Sequence, residues 1–132
     1  DVPPEALEDE QFAAMLAEAE KYLGFPYVWG GSSPSTSFDC SGFVSWVINH
    51  SGWDVGRLTA NGLLNICTPV SSANARPGDL IFFQKTYDTA GASHVGIYVG
   101  DGMMIHCGDP ISYANINTSY WQSHFYTFGR LP

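Results

Sequence analysis

Apolar residues recur with a helical period in the first half of this sequence and with a strand period in the second, and that switch limits the folds open to it. Between residues 11 and 23 they fall at Phe12, Met15, Leu16, Ala19 and Tyr22, one face of a helix that Gly24 and Pro26 bring to an end. Residues 30–37, rich in Gly, Ser, Pro and Thr, read as an irregular loop. Asp39 is a good N-cap, and a second helix is expected over Cys40–Asn49, with Cys40, Phe43, Val44 and Val47 on one face. A third, short helix is expected over Ala60–Ile66. After Pro77-Gly78 the pattern changes: residues 80–83 are a continuous apolar run, and Val95, Ile97 and Val99 alternate with His94, Gly96 and Tyr98. Gly100-Asp101-Gly102 turns the chain into a strand at Met103–Cys107, and a last strand is expected over residues 125–131. Helices first and antiparallel strands afterwards predict an α+β fold, with the N-terminal helices packed on one small sheet.

The 132 residues fit one compact domain, expected over residues 11–132 and to be a monomer, with residues 1–10 as a linker-like lead-in. No long apolar run marks a signal peptide or a membrane span, and the chain is expected to be part of a longer secreted protein with a further domain upstream. A formal net charge of −8 argues against nucleic acid, because phosphate binding needs clustered Lys and Arg. The five basic residues (Lys21, Arg57, Arg76, Lys85 and Arg130) are scattered singly, which also disfavours anionic membrane surfaces. Three cysteines cannot all pair within one chain, so at least one thiol is free or bonded elsewhere.

Cys40 is the candidate nucleophile. A thiol in the first turn of a helix feels the positive end of the dipole, which favours thiolate, and the glycine-rich loop before it lets a substrate approach. Taken alone, Cys40 also fits a buried small hydrophobe. Two histidines change the balance. With Gly100-Asp101-Gly102 as a three-residue loop, Val99 faces Met103 and His106 lies opposite Gly96. His94 is then its diagonal neighbour on the same face, about 7–8 Å away. A two-residue loop would put the two rings on opposite faces. One imidazole could then take the thiol proton while the other fixes its tautomer. Zinc is the other use of such a set, but no tight Cys-x-x-Cys or His-x-x-x-His spacing supports it.

The remaining candidates have structural readings beside them. His50 and His124 fit hydrogen-bonded residues near helix ends. Cys107 has the opposite strand parity to His106 and is expected in the core, and Cys67 looks structural. Asp39 and Ser41 suit an N-cap and a first-turn residue. A carboxylate so near Cys40 opposes thiolate formation unless it is turned away and hydrogen-bonded. The Tyr27 phenol could donate to an oxyanion.

Four blocks make the chain resemble the NlpC-type family of cell-wall cysteine peptidases: Tyr27-Val28-Trp29-Gly30-Gly31, Asp39-Cys40-Ser41-Gly42, Arg76-Pro77-Gly78-Asp79-Leu80 and Ser93-His94-Val95-Gly96-Ile97-Tyr98-Val99-Gly100. The resemblance runs from about residue 13 onward and implies a papain-like α+β core with no metal or organic cofactor. It implies Cys40 as nucleophile, His94 as base, His106 as the polar group that orients it, and Tyr27 near the reacting carbonyl. Asp39, Ser41 and Ser93, with Trp29 and Arg57, are implied to line the substrate groove. The stretch from Arg57 to Ala60 is similar to an Arg/Thr segment of the family but lacks the Gln often found shortly after it. The implied reaction is cleavage of stem peptides between D-glutamate, through its γ-carboxyl, and diaminopimelate or lysine, at the bacterial cell wall. A thiol amidase that cuts between sugar and peptide, and a non-catalytic peptidoglycan-binding module, are the rival readings.

Overall fold

The computed structural model describes residues 2–132. Asp9 starts the first long helix, its carboxylate accepting from the N–H groups of Gln11 and Phe12. Helix α1 runs Glu10–Glu20 and buries Phe12, Met15, Leu16 and Ala19. It is shorter than the 11–23 read from periodicity. The N–H groups of Lys21 and Tyr22 bond three residues back, and the tightened turn runs out at Gly24, whose φ of 89° breaks the helix. Ahead of α1, the expected linker contains a 3-10 turn over Pro4–Glu8, and Val2 and Ala6 pack against the core.

Helix α2 (Cys40–Asn49) starts at Asp39, which accepts from Gly42 N–H at 2.8 Å. Eight of its ten residues are buried, so α2 is a core helix. Thr59 caps the short α3 (Ala60–Ile66) in the same way. The loop expected over residues 30–37 holds a tiny hairpin instead, β1 (Ser32–Ser33) with β2 (Ser37–Phe38).

The main sheet is antiparallel: β3 (Thr68–Val70), β4 (Leu80–Gln84), β5 (Ala92–Gly100), β6 (Met103–Cys107), β7 (Ile111–Asn115) and β8 (Phe125–Arg130), in the order β3-β8-β4-β5-β6-β7. Alternate residues of β4 serve two cores. Leu80 and Phe82 join α1 and α2 in the large cluster, while Ile81 and Phe83 join Met104, Ile116 and Phe128 on the opposite face. A strand buried on both sides reads as a continuous apolar run, which is why 80–83 showed no alternation. A six-residue helix, α4 (Ser119–His124), sits on that second face through Trp121. At the end of the sheet Asp79 is 3% exposed and accepts from Arg130 Nε and Nη2 and from Arg76 N–H, pinning the Arg76-Pro77-Gly78-Asp79 turn to β8.

The β5–β6 hairpin corrects the expected loop. Gly100 pairs with Met103, so the loop is two residues, Asp101 and Gly102, both with left-handed φ (52° and 72°). A bulge between Tyr98 and Gly100 absorbs Val99 and restores the parity that the shorter loop would have inverted. Ile97 therefore faces Ile105, and His106 still ends opposite Gly96.

Candidate active site

Two glycines let the helix that begins at Cys40 start where it does. A Cβ on Gly42 would lie 2.0 Å from the Gly31 carbonyl oxygen, so only glycine lets the 30–39 loop cross the first turn of α2. Asp39 then ties three segments together. Its carboxylate accepts from Gly30 N–H (3.0 Å), from Gly42 N–H, and from Arg57 Nη2 at 2.8 and 2.9 Å. Arg57 Nη1 donates to Ser41 Oγ (2.8 Å) and to the Leu58 carbonyl. The groups carried by Asp39, Ser41 and Arg57, expected along a substrate groove, thus bond to one another. Together they fix the backbone around Cys40.

Cys40 is 6% exposed, and its Sγ lies against β5 on either side of His94, 3.9 Å from the Ser93 carbonyl and within reach of Val95 N–H. Burial pushes the thiol up to about 11, and Asp39 adds to the rise. The N–H groups of Val95 and Ser41 and the Arg57 charge pull the other way without overcoming it. The shift runs against the thiolate that a first-turn position favours and in the direction expected of a nearby carboxylate.

His94 is carried at a second bulge, where β5 pairing to β4 steps from His94↔Phe83 to Ala92↔Gln84 and leaves Ser93 over. Ser93 Oγ accepts from Thr86 N–H, so its hydroxyl braces the loop before β5. Asn61 holds the same loop by accepting from Ala92 N–H and donating to Ala90 O. His94 Nε2 and His106 Nδ1 are 2.8 Å apart, which leaves Nδ1 as the other ring nitrogen of His94. Both rings are nearly buried, at 9% and 6% exposure. Burial pushes His94 down to about 3, with His106 adding to the fall, and pushes His106 down to about 4. No hydrogen bond joins the Cys40 thiol to either ring among the described residues.

A cleft of about 350 Å³ opens over Cys40, lined by Tyr27, Trp29, Asp39, Ser41, Arg57 and Ser93 among others. Burial, with Cys40 next, raises the pKa of the half-buried Tyr27 phenol far above its ordinary value, so it remains a donor. Trp29 is 70% exposed and meets Tyr87 edge-on at 5.3 Å. Sequence reasoning missed Tyr87, Asn61 and Trp121, which stacks on His94; a Tyr-Trp pair in a six-residue polar helix gives no periodic signal. The other histidines have structural partners: His50 Nδ1 meets Trp46 O, and His124 Nδ1 meets Gln84 O. Cys107 is buried in the large core with its thiol donating to Phe38 O, and Cys67 is half-buried at the end of α3.

Comparison with known proteins bears on this site. Over 121 residues the chain is 42% identical to the bifunctional muramidase/DL-endopeptidase CwlT of Bacillus subtilis, covering 91% of this chain and 36% of that protein. It is 39% identical to a gamma-DL-glutamyl hydrolase of the same organism, covering 83% of this chain and 27% of the relative. Among solved structures, a Staphylococcus aureus protein described as similar to lipoprotein, NLP/P60 family, superimposes with a TM-score of 0.89 at 42% identity, covering 93% of this chain and 42% of that one. The chain thus spans well under half the length of these relatives. The NlpC/P60 family profile matches residues 24–130, a stretch that contains Cys40, both site histidines and all four motif blocks, and the chain belongs to that family.

Proposed function

We propose that residues 11–132 form a cysteine peptidase domain that hydrolyses the γ-D-glutamyl–diamino acid bond of peptidoglycan stem peptides at the bacterial cell wall. The observation that carries this reading is the seating of Cys40. Its sulfur lies in an open cleft at a helix N-terminus, against the strand segment whose central residue, His94, is held through Nε2 by His106. The relatives named for cleavage of DL and γ-DL-glutamyl bonds support the substrate class.

The resting pair is thiol and neutral imidazole, so proton transfer accompanies attack. His94 Nδ1 takes the Cys40 proton as sulfur bonds to the γ-carbonyl carbon. The oxyanion receives hydrogen bonds from Cys40 N–H and the Tyr27 hydroxyl. His94 then gives its proton to the departing amine of the diamino acid as the C–N bond breaks. Water, deprotonated by His94, attacks the thioester and releases the free γ-carboxyl, returning the proton to sulfur. His94 Nε2–H donates to His106 Nδ1 in this scheme, which keeps Nδ1 as the acceptor facing the reaction.

Mass spectrometry of purified muropeptides, incubated with the wild-type protein and with Cys40→Ala, tests the proposal. Fragments split after D-glutamate with wild type, reduced at least about 10³-fold in Cys40→Ala, are the expected result. Intact stem peptides released from sugar would make the protein an amidase. Binding of muropeptides without cleavage by either protein would make it a binding module.

A further inference from the structure

We propose that Trp121 is a positioning residue for this reaction, an indole that sets the planes of both imidazoles and shuts water away from them. The inference rests on the assignment of His94 as base and concerns how that base is held. The Trp121 ring lies 5.2 Å from His94 at 23°, a stacked contact, and 5.3 Å from His106 at 88°, an edge contact. The two imidazoles are themselves nearly perpendicular, at 83°. A bond from Nε2 to Nδ1 between perpendicular rings is lost if either ring rotates about χ2, a soft torsion. One indole parallel to the first ring and perpendicular to the second restrains both rotations. Phe83, 4.6 Å from Trp121 and 6.0 Å from His94, backs the stack.

The surroundings of α4 support this use of it. Six residues are too few for a helix that is stable alone, and none of its residues is fully buried. Its hydrogen bonds instead locate the indole. Thr118 Oγ1 accepts from Trp121 N–H, Gln122 Nε2 donates to Ile116 O, and His124 Nδ1 bonds Gln84 O at the end of β4. The titratable groups on the elements around His94 are His106 and Cys107 from β6, Cys40 from α2, and Tyr120 and His124 from α4; Cys107 turns into the large core and β4 supplies none. A Trp that merely filled space would affect stability and leave the chemistry of His94 alone.

The test compares wild type, Trp121→Phe and Trp121→Leu by muropeptide kcat and KM across pH, and by ¹⁵N NMR titration of the histidine rings. Trp121→Leu is expected to lower kcat about tenfold, a part of what a base contributes, with KM within about twofold. The acid limb of kcat/KM and the His94 titration should both move to higher pH, because water readmitted to the ring stabilises its charged form. Trp121→Phe should recover most of kcat. If wild type cleaves while the Trp121→Leu acid limb and His94 titration both stay in place, Trp121 is a space-filler and the inference fails alone. If Cys40→Ala keeps full cleavage, the functional reading fails whatever Trp121 does. If KM rises at unchanged kcat, Trp121 acts on substrate binding and the inference is overturned.

Discussion

Cys40 and the His94–His106 pair, which the proposed mechanism joins, are held by different cores and by different means. On the α2 face Cys40 belongs to a large continuous core that runs from Phe12 and Met15 through Phe43 and Val47 to Val95, Ile97 and Ile105. Its position is set by backbone approach at Gly31 and Gly42 and by a carboxylate that ties three segments. On the opposite face the buried cluster among the described residues is Ile81, Phe83, Met104, Ile116 and Phe128, and the histidine pair rests on a few aromatic rings. Cys40 is therefore placed by the fold itself, and moving it means disturbing the main core. His94 is placed by local contacts that can change while the fold persists. Mutations on the first face should cost stability and activity together, and those on the second should separate them.

A pair of glycine substitutions attacks that contrast directly. Alanine normally favours a helix interior over glycine by about 1 kcal/mol. Gly42→Ala should reverse the sign, because its Cβ would meet the Gly31 carbonyl at 2.0 Å and neither backbone can yield locally. A loss of about 3 kcal/mol or more is expected, with activity lost in parallel, read by urea denaturation. Gly96→Ala on the other face would meet the flexible end of Met104 at 2.8 Å and His106 Cβ at 3.1 Å. It should cost only about 1–2 kcal/mol yet shift His106 and lower kcat more than stability implies. Equal stability losses for the two variants would erase the distinction.

The faces also differ in how they respond to acid. Both site histidines titrate below their ordinary value of 6.5 in the folded protein, because burial disfavours the imidazolium. The unfolded chain therefore binds more protons, and stability must fall as pH drops through 6.5 and keep falling toward the folded values. Between pH 7 and pH 5 this amounts to about 1–2 kcal/mol per histidine. Glu18 acts lower down. Burial works against its charge, but hydrogen bonds from Lys21, Tyr22 and Trp46 outweigh that, and the stability it contributes is lost below 4.5. The window from 6.5 to 4.5 belongs to the histidines. Urea midpoints at pH 7 and pH 5 should converge in His106→Gln relative to wild type, and an undiminished gap would relocate the acid sensitivity elsewhere.

Much of this arrangement was legible in the sequence, for reasons that also explain what was not. Helices α1, α2 and α3 and strands β4, β5, β6 and β8 each bury side chains at a regular period or stand beside strong caps, and each was expected close to where it lies. The missed elements leave no pattern: β1 and β2 are two residues each, β3 carries Pro69 at its centre, β7 buries only Ile111, and α4 buries no residue fully. The side-sharing of His94 and His106 was reached through the wrong loop length, and it survives because the Val99 bulge compensates, a device invisible to parity counting. The thiol was only half legible: a helix N-terminus can be read from one dimension, whereas the burial that raises Cys40 depends on three.

The balance at Cys40 supplies the finest test of the α2 face. Asp39→Asn keeps an oxygen to accept from Gly42 N–H but removes the charge that opposes the thiolate, and it leaves Arg57 without a countercharge. The Asp39–Arg57 pair is partly open to solvent, so its loss with the weakened cap should cost no more than about 1 kcal/mol. Both electrostatic changes favour thiolate and add in sign. Alkylation of Cys40 by iodoacetamide, resolved from Cys67 and Cys107 by mass spectrometry, should climb with pH toward about 11 in wild type and begin its climb earlier in the variant. A wild-type curve already level near neutral pH would mean that the dipole governs Cys40 after all. An unshifted variant curve would assign the high value to burial alone, leaving Asp39 as a clamp with no influence on the thiol it holds.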